Sequence, residues 1–146
     1  MMARQISIFL ENKAGRLAEV ARILADASVN IRALSLADTS DFGVLRLIVN
    51  NAARARDVLK DNGFTVRVTE VAAVGVEDRP GGLLKILDLM DDAGVNIEYM
   101  YAYANPQGGN AVMIFRFDPM EKGLEVLKMA AVPLMDENDL SAIGSP

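Results

Sequence analysis

Apolar and polar residues alternate through residues 4–10, setting Ile6, Ile8 and Leu10 on one face of a strand and Gln5, Ser7 and Phe9 on the other. The period then lengthens. Leu17, Val20, Ala21 and Leu24 follow helical spacing, with Asn12 or Gly15 near the start of the helix. Residues 31–38 and 43–50 read as strands separated by the turn-forming Thr39-Ser40-Asp41. Ala52 to Asn62 reads as a second helix that Gly63 stops, and Phe64, Val66 and Val68 begin another alternating run. The order is β-α-β-β-α-β. It recurs as a strand over 71–76, a helix over 83–93, strands over 95–104 and 110–117, and a helix over 120–129. A last short strand over 132–135 contains Pro133, which suits a sheet edge. A partial turn is expected after Asp136, with fraying at the final residues.

The recurrence is also written in the residues. Leu10-Glu11-Asn12-Lys13-Ala14-Gly15-Arg16-Leu17 returns as Val76-Glu77-Asp78-Arg79-Pro80-Gly81-Gly82-Leu83, and Val29-Asn30-Ile31 returns as Val95-Asn96-Ile97. The offset is about 66 residues, the mark of an internal repeat. Gly43 against Gly109 and Ile48 against Ile114 extend the same register, predicting copies aligned without a gap through most of their length. Domains over residues 1–70 and 71–146 follow. No linker intervenes, because Glu70 runs straight into Val71. The fold class predicted is α+β: two tandem ferredoxin-like units with antiparallel sheets and helices on one face. Leu17, Leu83, Ile31 and Ile97 are expected in the cores, as are Leu34 and Leu36 of the first copy.

Composition removes several chemistries. The 146 residues include no cysteine and no histidine. Thiol catalysis, disulfides, His-based triads and most zinc chemistry are therefore excluded. No Walker loop or Rossmann fingerprint is present. Asp88, Asp91 and Asp92 read as a solvated helix face rather than a metal site. Half of the chain is hydrophobic, yet no run of about 18 apolar residues marks a membrane span. No export leader is expected, which predicts a cytoplasmic protein. Residues 1–70 carry a net charge of +2 and residues 71–146 of −7, together the −5 of the whole chain. That is not the basic field of a general nucleic-acid binder. The split reads either as drift of surface charge or as matching of unlike faces.

The strand-to-helix junctions carry the strongest functional signal. Asn12-Lys13-Ala14-Gly15-Arg16-Leu17 and Asp78-Arg79-Pro80-Gly81-Gly82-Leu83 resemble the N/D-x-P/x-G-x-L turn of the ACT domain, a small regulatory module that binds amino acids. Asn30-Ile31 and Asn96-Ile97 resemble that family's Gly-x-Asn-Ile step. Gly94 keeps the glycine and Ser28 replaces it. The resemblance spans about residues 3–135, in two copies with no catalytic domain. It implies an amino-acid ligand near both turns, with Asn30 and Asn96 approaching across a domain interface.

Elementary chemistry fits such a ligand. Free N–H groups at a helix start suit an α-carboxylate, glycines at 15 and 81 permit close backbone approach, and Asn or Asp side chains accept from an α-ammonium. Simpler roles stand beside these. Gly15 and Gly81 serve equally as tight-turn formers, Asn12 and Asp78 as helix caps, Asn30 and Asn96 as turn closers, and Lys13 and Arg79 as solvated charges. Tyr99, Tyr101 and Tyr103 share one strand face where the first copy has Ala33, Ser35 and Ala37. Packing against another domain or subunit is expected for that face, with Tyr101 also a candidate ligand contact. RNA stacking is rejected for want of a basic-aromatic motif. The sequence thus predicts a non-catalytic, allosteric amino-acid sensor, with no cofactor or metal and no nucleic-acid or membrane partner. It is expected to act as a homodimer, with a regulated metabolic enzyme as a possible partner. An ACT-fold adaptor that has lost its ligand is the alternative.

Overall fold

A computed structural model of the chain describes residues 2–38, 42–103 and 110–142. The turn expected at Thr39-Ser40-Asp41, the glycine at 109 and the final residues lie outside these. Arg4–Thr69 form one compact unit, and the residues from Glu70 on, joined by Met2 and Ala3, form the other.

The first unit runs β1 (Ala3–Glu11), α1 (Arg16–Asp26), β2 (Ile31–Asp38), β3 (Phe42–Val49) and α2 (Ala52–Asp61), then enters β4 (Thr65–Glu77). The second continues along β4 through α3 (Gly82–Ala93), β5 (Asn96–Tyr103), β6 (Asn110–Asp118), α4 (Met120–Met129), β7 (Leu134–Met135) and α5 (Glu137–Ala142). The two strands expected around Glu70 are one. Thr69-Glu70-Val71 holds no glycine or proline to turn the chain, so extension continues through it.

In the first unit β3 pairs antiparallel with β1 on one side and β2 on the other. Ile6, Ile8 and Leu10 meet Leu45 and Leu47 on one face, where Val20 and Leu24 of α1 and Ala55 and Leu59 of α2 complete the core. In the second unit β6 lies between β4 and β5. Val74, Val76, Phe115 and Phe117 face Ile86 and Met90 of α3 and Leu124 and Leu127 of α4. Phe115 and Phe117 stack with centroids 5.3 Å apart. The short β7 joins the edge of β4, and the Pro133 carbonyl accepts from Gly75 N–H at 2.9 Å, a role that needs no proline N–H.

The repeat is a repeat of hydrogen bonds as well as of residues. Each of α1, α2, α3 and α4 is followed by a residue of positive φ, at Ser28, Gly63, Gly94 and Ala131 respectively. Each is followed by a 6→1 bond: Val29 N–H to Leu24 O, Phe64 to Leu59, Val95 to Met90 and Val132 to Leu127. These are Schellman closures.

Strand pairing corrects the ungapped register. Leu10 pairs with Gly43 and its counterpart Val76 with Ala111; Ile8 pairs with Leu45 and Val74 with Met113. The offset is 66 up to β2 and 68 from β3 onward. Ile48 therefore corresponds to Arg116, not Ile114. The connection between β5 and β6 is two residues longer than its counterpart, and a sequence match at fixed spacing cannot show a loop insertion.

Burial corrects the core in two places. Leu34 and Leu36 pair with Leu47 and Leu45 and so share the core face, but β2 is a sheet edge beyond the cover of the helices, and they are 55% and 49% exposed. Leu17 and Leu83, each on the first turn of a helix, are 41% and 37% exposed. Ile31 and Ile97 do pack against their cores. Tyr101 and Tyr103 are buried on the face away from α3 and α4. Tyr103 is held within its own copy: its hydroxyl donates to Leu140 O at 3.0 Å. The partial turn expected after Asp136 is the helix α5, closed by reciprocal bonds between Asp136 and Asp139 at 3.0 and 2.9 Å.

Candidate functional site

Glycine shapes each strand-to-helix turn. Gly15 and Gly81 are the N-cap residues, at φ 90° and 86°, a left-handed conformation that a Cβ disfavours. Neither helix start has a side-chain cap, so Asn12 and Asp78 do not serve in that role. The backbone closes each turn instead. Lys13 N–H bonds Glu11 O and Arg16 N–H reaches Lys13 O; Arg79 N–H bonds Glu77 O and Gly82 N–H reaches Arg79 O. The first intrahelical bonds come later, from Glu19 to Gly15 and from Lys85 to Gly81. The N–H groups of Leu17 and Ala18 thus stand outside the helical ladder, in the positive end of the helix dipole.

The side chains on this common frame differ. In the first copy Leu10, Glu11, Asn12, Lys13, Arg16, Leu17, Leu36 and Gly43 line a cavity of about 70 Å³. Gly43 removes a side chain from its wall, while Leu17 and Leu36 form an apolar rim. Arg16 is fixed between two carboxylates, 3.2 Å from Glu11 and 2.8 Å from Glu19, with its guanidinium 5.3 Å from the Phe64 ring centroid. Lys13 reaches Glu11 at 3.4 Å from a largely solvated position.

In the second copy Glu77, Asp78, Arg79 and Asn110 border a broad, open depression of about 450 Å³. Arg79 pairs with Glu77. Asn110 was not singled out from the sequence; only the two-residue shift in register reveals that it sits beside the turn. Gly82 has no room for a side chain, because a Cβ there would lie 1.9 Å from Glu77 O.

Asn12, Lys13, Arg16 and Leu17 come together in one wall, with Ala14 and Gly15 between them in the turn. Asn30 and Ile31 do not join them. Asn30 lies six residues along β2 from Leu36, about 20 Å in an extended strand, and its backbone pairs with Asn50, N–H to Oδ1 at 2.9 Å. Asn96 pairs with Asp118 at the corresponding end of the second sheet. Tyr101 lines neither turn cavity. Among the described residues no group of three or more carboxylates, cysteines or histidines is placed to hold a metal ion. No described helix is long and apolar enough to cross a membrane.

Comparison with known proteins gives a consistent picture. The family model of the ACT domain pair matches residues 1–143. Protein BT0572 from Bacteroides thetaiotaomicron is 44% identical, with a TM-score of 0.91 and 98% of both chains covered. The ligand-free regulatory subunit of aspartate kinase from Thermus thermophilus is 18% identical over 87% of this chain and 91% of that one, with a TM-score of 0.60. Its Thermus flavus counterpart is 16% identical over 88% and 92%, also at 0.60. These last two likenesses are of fold. No curated protein matches the chain.

Proposed function

Because this chain belongs to the ACT domain pair family, we propose that it is a non-catalytic regulatory protein that binds a free amino acid at the first copy's strand-to-helix turn. The observation carrying this reading is the first-copy cavity, lined by the Asn12 amide and by Leu17 and Leu36, beside a helix start where the N–H groups of Leu17 and Ala18 stand outside the helical ladder. The helix start receives the α-carboxylate, the Asn12 carbonyl accepts from the α-ammonium, and the rim takes the side chain.

The cavity also argues for a second copy of the chain. About 70 Å³ is well below the roughly 300–1,000 Å³ of small-molecule pockets, and its rim leucines are half exposed. A partner surface laid over that rim encloses the ligand and links occupancy to assembly. Such linkage is what lets a non-catalytic module control an enzyme.

A thermal-shift screen of the standard amino acids at millimolar concentration tests the reading, since a ligand that binds only the native state raises its stability. One chemical class is expected to raise the melting temperature, an effect lost in Asn12→Ala and kept in Asp78→Ala. No shift with any amino acid contradicts it. A second reading, an adaptor that keeps the fold for assembly without a ligand, draws on the exposed Leu34 and Leu36 of the β2 edge. It gains ground if the chain dimerises and nothing shifts its melting.

A further inference from the structure

Outside the longer β5–β6 connection, the repeat gives positions of one copy counterparts in the other, and one cluster of counterparts differs in a coordinated way. In the first copy, Arg16 fills the space between the start of α1 and the chain leaving α2, pinned by Glu11 and Glu19 and lying over Phe64. Its counterpart is Gly82. Glu19 corresponds to Lys85 and Phe64 to Val132, as the paired hydrogen bonds of turns and helix ends establish. A long cation, a carboxylate and an aromatic ring are thus replaced together by no side chain, a cation and a small aliphatic. What results is a cavity of about 190 Å³ lined by Gly75, Glu77, Gly82, Lys85, Ile86 and Val132, with Pro133 in its outer wall.

The chemistry of this wall is specific. Ile86 is buried at its base, and Val132 and Pro133 are apolar. Glu77 is neutralised by Arg79. Lys85 has no ion-pair or hydrogen-bonding side-chain partner among the described residues. At about 30 Å³ per water in the liquid, the space matches about six waters or a compact organic molecule. An unpaired ammonium beside an apolar floor suits one carboxylate carrying a short aliphatic tail.

We propose that the second copy holds a small aliphatic carboxylate in this cavity, with Lys85 Nζ binding the carboxylate and Ile86, Val132 and Pro133 covering the tail. The site lies inside one copy, on the α4–β7 side of the helix start, and stands whether or not the first-copy turn binds an amino acid. Two sources share this chemistry, a zwitterionic amino acid and a free 2-oxo or carboxylic acid. Glu77, which also lines the cavity, carries carboxylate oxygens that an α-ammonium would use.

Calorimetric titration of the full chain with 3-methyl-2-oxobutanoate, and separately with L-valine, tests this. Saturable binding of either acid is expected, weakened at least tenfold by Lys85→Met. It is abolished by Val132→Phe, which restores the bulk of Phe64, and unaffected by Asn12→Ala. Binding of the oxo acid alone identifies a free acid as the ligand, and binding of valine alone an amino acid. Lys85 is exposed, so Lys85→Met is expected to fold, and an unchanged circular dichroism melt checks it. No heat with either acid overturns the proposal. So does binding that survives Lys85→Met and Val132→Phe together; if that binding is also lost in Asn12→Ala, it belongs to the first-copy turn.

Discussion

The positive-φ residues show how much a single side chain can hide. Ser28 occupies the left-handed closure of α1 at φ 58°, where Gly94 closes α3 at 68°. A left-handed L-residue costs roughly 1–2 kcal/mol, partly offset in glycine by its greater unfolded freedom. Ser28→Gly is therefore expected to stabilise the protein by about 0.5–1 kcal/mol, read as a higher urea midpoint. The neighbouring glycines at 81 and 82 separate two costs. Gly81→Ala meets no atom within 4 Å and bears only backbone strain, about 1–2 kcal/mol. Gly82→Ala drives a Cβ into the backbone oxygen of Glu77, which cannot rotate away, and is expected to cost about 3 kcal/mol or more. Equilibrium unfolding of the two variants checks the order. The glycine signature was legible in the sequence, but the distinction was not, since one glycine is required by φ and the other by proximity.

Elements were legible where periodicity and stop signals agree. α4 falls on the residues expected of it, and α2 ends one residue earlier than predicted. Asn51 accepts from Arg54 N–H at 3.1 Å, so α2 is capped as its sequence allows. Asn51→Ala is expected to cost about 1 kcal/mol, seen as a lower thermal midpoint. Misreadings came where tertiary cover decides. Leu34 and Leu36 have the pattern of core residues, yet among the described residues no element covers them at the β2 edge. Tyr103 has the strand pattern expected to pack against another domain or subunit, whereas α5 of its own copy closes over it with a six-residue helix too short to stand out. Tyr103→Phe removes the bond to Leu140 O and is expected to cost about 0.5–1.5 kcal/mol. Amide exchange is expected to rise in α5 more than in the β-sheet, because the bond ties that helix alone.

At the scale of the whole molecule, duplication conserved the backbone and released the side chains. Both turns keep the same glycine and the same hydrogen bonds, so the fold was readable from one copy to the other. The sites were not, because their difference lies in how residues 16, 19 and 64 of the first copy pack against one another, and in a two-residue insertion that brings Asn110 to the second turn. The first copy retains a compact polar-apolar notch, the second an open depression and an internal cavity. Binding at the first-copy turn is tested by amide chemical shifts followed during titration with the amino acid that most raises the melting temperature. Saturable shifts are expected at Asn12, Leu17 and Ala18 in the wild type, and their loss in Asn12→Ala. Saturable binding that leaves the amides of the first turn unmoved would refute a ligand site there.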